Sequence, residues 1–177
     1  MTTRVHSIAV IAGDGIGKEV IPAGIAALEA AMKGSGAELA FTELPWGCEY
    51  YVRHGRMMDA DGFERLAKFD AIYLGAIGSP TVPDHIAVWD LLLPLRQRFQ
   101  QYVNLRPMRL LPGLSSPLAN RGPADIDMIC VRENSEGEYA GLGGRLHVGT
   151  PHEVAEQTGL FTRHGIERIV RYGFDIA

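Results

Sequence analysis

Four side chains in this sequence have the type and setting to do chemistry: Arg96, Arg106, Arg132 and Tyr139. The arginines occupy unlike surroundings. Leu95-Arg96-Gln97 falls in a helical pattern, Asn104-Leu105-Arg106-Pro107 lies where that helix gives way to a connector, and Val131-Arg132-Glu133-Asn134 follows an apolar, strand-like run. A charged residue at the end of a buried strand sits at the edge where α/β proteins place ligands, so Arg132 is expected to face a cleft. A guanidinium grips a carboxylate through two parallel N–H donors, and three converging on one point would suit a dicarboxylate. Taken singly, an arginine is more commonly a solvated or ion-paired surface residue, and Arg98 and Arg109 keep that reading.

Tyr139 stands in Glu136-Gly137-Glu138-Tyr139-Ala140-Gly141, just past the strand end that carries Arg132. A phenol is a poor proton donor near neutrality unless cations stand close to it, and nearby arginines would supply them. Its plain alternative is an amphipathic residue packing a loop. Trp46 and Trp89 read as core or cleft-wall residues, although Trp89 and Asp90 could instead touch the variable end of a substrate. The six histidines are scattered without metal-ligand spacing. Cys48 and Cys130 are far apart and read as reduced, packed thiols.

The elements that would position these groups alternate in type. Val5 to Ala12 is an apolar, β-branched strand pattern ending at glycines, and Ile16 to Met32 carries apolar residues at helical spacing. Glu38 to Leu44 and Phe69 to Leu74 read as strands with a helical stretch, Asp61 to Lys68, between them. Ile86 to Gln101 reads as a helix in which Pro94 either makes a kink or begins a new turn. Pro107 to Pro123 has connector chemistry. Beyond it come a buried-strand candidate at Ile126 to Val131, a glycine-broken loop or hairpin at Gly141 to Gly149, a strand at Val154 to Thr162, and a helix from Arg163 with no stop signal before Ala177. Strands alternating with helices predict an α/β fold with a parallel or mixed sheet flanked by helices and its site at strand C-terminal ends. The expected domains are 1–99 and the start of a second α/β domain at 100–177.

Gly13-Asp14-Gly15-Ile16-Gly17 joins the first strand to the first helix and could aim backbone N–H groups at an anion. Neither nucleotide motif is met. A dinucleotide fingerprint needs glycine where Lys18 stands, and a phosphate loop needs glycine at Ala12 and a hydroxyl residue at Glu19. A tight turn with no ligand is the simpler reading.

The 177 residues are 46% hydrophobic and 21% charged, the composition of a soluble globular protein. A net charge of −4 gives no sequence-wide attraction to nucleic acid. No run approaches the ~20 apolar residues of a membrane span, and the apolar start breaks too early for an export signal, so the cytoplasm is the expected location.

Together, Gly13-Asp14-Gly15-Ile16-Gly17, Gly75-Ala76-Ile77-Gly78, Asn104-Leu105-Arg106-Pro107 and the stretch from Val131 to Gly141 resemble, in order and spacing, the isocitrate, isopropylmalate and tartrate dehydrogenases, the metal-dependent β-decarboxylating dehydrogenases. Thr81-Val82-Pro83-Asp84-His85-Ile86, Gly141-Leu142-Gly143-Gly144-Arg145 and Phe161 to Phe174 look most like the tartrate and D-malate branch. The resemblance covers nearly the whole chain. It implies an isopropylmalate-dehydrogenase-like fold, carboxylate binding by Arg96, Arg106 and Arg132, and protonation by Tyr139 of the enol left when carbon dioxide departs. It further implies NAD binding near Ile11, Gly75, Ala76, Ile77, Gly78 and Trp89, and a homodimer arm around residues 139–162.

Family members are considerably longer, so the resemblance also implies that a catalytic lysine, the aspartates holding Mn²⁺ or Mg²⁺ and the main adenosine loop lie beyond Ala177. The expected reaction is NAD-dependent oxidation and decarboxylation of a small 2-hydroxy diacid, tartrate or D-malate before isopropylmalate or isocitrate, with this piece inactive alone. The rival is a non-catalytic truncated homologue that acts by association, since missing strands would leave open sheet edges and apolar faces.

Overall fold

The structure is a computed structural model that describes residues 4–177. The chain divides into two compact units, Met1–Leu95 and Arg96–Ala177.

The amino-terminal unit is built on three parallel strands, β1 (Arg4–Gly13), β2 (Ala37–Glu43) and β3 (Ala71–Ala76), in the order β2-β1-β3. The β-branched, uninterrupted apolar run of β1 suits the central position, where both edges are paired and both faces are covered; Ala9, Val10 and Ile11 are buried. Helix α1 (Gly17–Met32) links β1 to β2 and packs against all three strands. Helices α2 (Cys48–His54) and α3 (Gly62–Leu66) precede β3. The sequence reading missed α2, although Gly55 ends it in the left-handed conformation at φ 68°, the usual helix stop.

The expected single helix over 86–101 is three pieces: α4 (Asp84–Ala87), a π turn (Val88–Leu92) and α5 (Leu93–Arg98). Pro94 has no N–H to continue an α-helical ladder. It stands as the second residue of α5, in a first turn where that donor is not required, and so begins a new turn after the widened one.

The carboxy-terminal unit holds two antiparallel pairs, β4 (Val103–Arg109) with β5 (Asp127–Glu133) and β6 (Gly137–Leu146) with β7 (Val154–Leu160), followed by α6 (Arg163–Ile176). The connector therefore starts after Arg109 rather than at Pro107. Asn134 donates to the Tyr102 carbonyl at one end of the β4–β5 ladder and Leu110 to the Ile126 carbonyl at the other. Counting by twos from these bonds, Pro107 falls where its nitrogen faces away from β5, so its missing donor breaks no ladder bond. The expected burial of 126–131 does not hold: Ile129 is 56% exposed and Cys130 is also exposed, because the faces of the β4–β5 ribbon, from which side chains project, are largely uncovered. Only Cys48 is packed as expected, and both thiols are free. The glycine-broken stretch from Gly141 is the hairpin of β6 and β7, with Gly143 opposite Gln157 and Leu146 opposite Val154.

Candidate functional site

In the carboxy-terminal unit the strand register brings two of the three arginines together. Asn104 pairs with Arg132 and Arg106 with Cys130, and residues two apart on paired strands share a face, so Arg106 and Arg132 project from the same side of the β4–β5 ribbon. Arg132 donates from Nη2 to the Tyr139 hydroxyl oxygen at 2.5 Å, and its guanidinium lies 5.2 Å from the centre of that ring. Arg96, on α5, holds its guanidinium 5.7 Å from the same ring. Burial pulls the Arg96 guanidinium below its ordinary pKa, with the charges of Arg132 and then Arg106 adding in the same direction while Tyr139 opposes. An arginine stays charged under such pressure. Arg96 and Arg132 are thus held against one phenol, with Arg106 close enough for its charge to act on Arg96, and among the described residues none of the three is ion-paired to a carboxylate. Arg109 keeps the surface role, paired with Asp127 at 2.8 Å on the exposed ribbon.

The turn between β5 and β6 is what fixes Tyr139 relative to Arg132. Glu133 accepts from the Ser135 hydroxyl (2.6 Å) and from the backbone amides of Ser135 (3.0 Å) and Glu136 (2.7 Å). Burial works to raise the Glu133 pKa, but the Ser135 hydroxyl and the turn amides outweigh it and hold it below the usual carboxylate range. Glu136 receives the Thr162 amide at 2.8 Å and hydroxyl at 2.6 Å, while Thr162 caps α6 by accepting from the Gly165 amide at 3.0 Å. Gln97 donates to the Tyr139 carbonyl at 3.1 Å.

In the amino-terminal unit the glycine turn is locked onto the loop after β3. Gly13 adopts φ +73°, and a Cβ there would run into the Ala76 carbonyl, so only glycine lets the two segments close. Asp14, 3% exposed, receives the amides of Cys48 (3.0 Å), Glu49 (3.2 Å) and Gly78 (3.1 Å) and donates its own amide to Ala76 at 2.7 Å. Burial alone would raise its pKa; the amides of Cys48, Gly78 and Glu49, with the Cys48 thiol, lower it overall. Burial and the neighbouring Asp14 push the Cys48 thiol up to about 11, which makes it unreactive near neutrality. Within the turn Gly17 donates to the Asp14 carbonyl, and just beyond it Lys18 donates to Gly15 and Glu19 to Ile16, while the Lys18 ammonium is ion-paired with Glu49. The turn acts as a clamp, tying the end of β1 to the start of α2 and the loop after β3.

Gly75, Ala76 and Ile77 are half-buried and Gly78 and Trp89 exposed, a partial surface at the C-terminal edge of the parallel sheet on which a ligand can lie. Gly78, at φ +151°, has open space where a side chain would be. Ile11 corrects the sequence reading: wholly buried in β1, it presents no surface to a cofactor. A cleft of 720 Å³ in the same unit is lined by Asp14, Lys18, Ile25, Trp46, Glu49 and Arg53, none of them a residue singled out from the sequence for cofactor contact. Among the described residues no group of three or more His, Cys, Asp or Glu is placed to hold a metal, so the residues present do not form a Mn²⁺ or Mg²⁺ site. Nor is any described helix long and apolar enough to cross a membrane.

Sequence reasoning did not give Asp14, Gln97 or Glu136 a positioning role. Asp14 carried the better clue, an acid between two glycines directly after an apolar strand. Gln97 and Glu136 act through partners 42 and 26 residues away, which no local pattern announces.

The comparisons with known proteins agree with one another. The model of the isocitrate/isopropylmalate dehydrogenase family matches residues 7–177. The chain is 57% identical over 172 residues to D-malate dehydrogenase [decarboxylating] of Escherichia coli K12, which spans 96% of this chain and 48% of that protein. It is 52% identical over 179 residues to a tartrate dehydrogenase/decarboxylase of Pseudomonas putida, spanning 100% of this chain and 49% of that protein. The crystal structure of isocitrate dehydrogenase from Methylococcus capsulatus superposes with a TM-score of 0.80 at 28% identity, over 97% of this chain and 47% of that one. The chain thus spans about half the length of the curated relatives it matches. On a family match that runs almost end to end, and a fold shared with solved members, the chain belongs to the isocitrate/isopropylmalate dehydrogenase family.

Proposed function

We propose that this chain supplies the diacid-binding and proton-donating part of an NAD-dependent decarboxylating dehydrogenase acting on tartrate or D-malate. The observation that carries the reading is Arg96 and Arg132 held against the Tyr139 phenol, with Arg106 on the same ribbon face as Arg132 and its charge felt by Arg96, none of the three having a carboxylate partner. Their forks would take the two carboxylates of a small hydroxy diacid, orient C2 and keep the β-carboxylate in place until it leaves. The Tyr139 oxygen accepts a hydrogen bond from Arg132, so the phenol's own hydrogen is directed elsewhere and is available to the carbon left by the departing carboxylate. Bound NAD supplies the hydride acceptor, and the Gly75–Gly78 loop and Trp89 are the surface offered to it. The oxygen ligands of Mn²⁺ or Mg²⁺ would come from polypeptide outside these residues.

The names of the 57% and 52% identical relatives favour tartrate or D-malate over isopropylmalate and isocitrate. The same reading takes 1–99 as part of the cofactor-side domain, 100–177 as the start of the second, the hairpin within 139–162 as the contact with a second copy, and the cytoplasm as the location.

The test is NAD reduction by the full-length protein with Mn²⁺ and each of the four acids. Tartrate or D-malate is expected to be the best substrate, with Arg132→Lys lowering turnover about 100-fold, since a lysine cannot reproduce the bidentate grip. Turnover by Arg132→Lys within a few-fold of the parent would reject the reading.

A further inference from the structure

We infer that Arg168 is a positioning residue for the Arg132–Tyr139 pair, an inference that rests on the diacid reading above. A helix as amphipathic as α6 would ordinarily hold its arginines in water. Arg168 instead turns inward, with its side chain 17% exposed. Its guanidinium lies 4.6 Å from the centre of the Tyr102 ring, Nη1 donates to Gln100 Oε1 at 3.2 Å, Nη2 donates to Ser135 Oγ at 2.6 Å, and Glu133 Oε1 stands 3.7 Å away.

These partners come from two segments. Gln100 and Tyr102 lie between Arg96 and β4, and Glu133 and Ser135 lie between Arg132 and Tyr139. One planar fork therefore fastens the chain leaving Arg96 to the turn that aims the phenol. Each route continues toward the candidate site. Gln100 donates to the Gln97 carbonyl at 2.9 Å and Gln97 to the Tyr139 carbonyl at 3.1 Å. On the other side, the Ser135 hydroxyl and Glu133 carboxylate form the core of the β5–β6 turn. Asn134 adds two bonds between the same segments, its side chain to the Gln101 carbonyl at 3.2 Å and its amide to the Tyr102 carbonyl at 3.0 Å. Gln100 is held at φ 51°, a conformation a residue with a side chain seldom keeps unless its surroundings fix it. Stacking on a ring while donating along two edges is within the reach of a guanidinium and beyond that of an ammonium.

The experiment uses the full-length protein carrying Arg168→Gln, Arg168→Lys or Tyr139→Phe, singly and as the Arg168→Gln/Tyr139→Phe pair. Diacid dissociation constants are read by calorimetry, beside kcat, both KM values and the thermal midpoint. Both Arg168 variants are expected to weaken diacid binding about 10-fold and lower kcat/KM for the diacid about 100-fold, the scale of an ångström-sized misplacement, with KM for NAD unchanged. In the Tyr139→Phe background the effect on kcat should shrink to under about twofold, because the two residues act on one step. A folded Arg168→Gln enzyme with parental diacid affinity and kcat would overturn the inference, as would KM values for diacid and NAD that rise together, or losses additive with Tyr139→Phe. If Arg168→Gln does not fold, Gln100→Ala/Ser135→Ala removes the two acceptors from the other side and is held to the same outcomes. Arg132→Lys run in parallel separates the two ideas: normal turnover there sinks the diacid reading, and crippled turnover there with an unaffected Arg168→Gln sinks this inference alone.

Discussion

The backbone amide of Gly78 donates to the carboxylate of Asp14 across 3.1 Å, joining positions 64 residues apart in sequence. The same carboxylate holds the first amides of α2. One buried side chain thus ties the end of β1, the start of α2 and the loop after β3 into a single corner.

Asp14→Ala should therefore cost about 3 kcal/mol of stability, since it takes the acceptor from three amides at once, that of Cys48 in a buried setting. Asp14→Asn, which can still accept two of the three bonds, should cost less. Denaturant midpoints on the two variants check the order; an Asp14→Ala protein as stable as the parent would contradict it.

The pH dependence follows from the same bonds. They hold the carboxyl of Asp14 below its ordinary value, so the folded protein binds that proton less readily than the unfolded chain does. The resulting stability is complete above the unfolded carboxylate's pKa of ~3.9 and is lost as the pH falls through the lower folded value. Glu133 contributes with the same sign. Measured at pH 7 and pH 3, the parent should lose more stability on acidification than Asp14→Asn does, and an equal loss in both would count against the assignment.

Thr162→Ala removes the cap of α6 and leaves Glu136 without its hydroxyl donor. About 1 kcal/mol of destabilisation is expected, the usual value of such a cap, with Thr162→Ser close to the parent in the same urea titration.

The arginine trio should make the protein responsive to small dianions. Tartrate at a hundred times its dissociation constant would add ~2.7 kcal/mol, visible as a raised thermal midpoint. Arg96→Met should reduce that rise and leave any stabilisation by NAD intact; an undiminished response to tartrate would remove Arg96 from the crevice.

Exposed apolar side chains predict association of the isolated 177-residue polypeptide. Ile129 is 56% exposed and Phe174 79%, and such surfaces seldom stay in water. Light scattering should show species larger than a monomer, and Ile129→Glu/Phe174→Glu should shift them toward one; a monomeric parent would refute this.

Much of the architecture was written in local pattern. The apolar run of β1, the helical spacing of α1 and the amphipathic α6 lie within a residue or two of where periodicity puts them, because each buries a face defined by its own sequence. The convergence of Arg132 and Tyr139 was legible too, since seven residues and one turn separate them. Less visible was the π turn before Pro94, where a missing donor only marks a break without saying what fills it. The exposure of β5 was misread because an apolar run reports a strand and not whether another layer covers it. Asp14, Gln97 and Arg168 work through partners from 33 to 68 residues distant, and side chains that close contacts of that range leave no periodic trace.

On the diacid reading, Arg96, Arg106 and Arg132 offer each carboxylate a charge and a planar fork, and neither depends on what links the two carboxylates. Oxalate, malonate and sulfate carry the same two negative charges as tartrate and malate, so coulombic attraction ranks them almost alike and admits them all. On that reading, recognition of one hydroxy acid would come from the fit of its uncharged carbon skeleton and hydroxyl groups, and small dianions such as these are expected to act as competitive inhibitors wherever they are abundant.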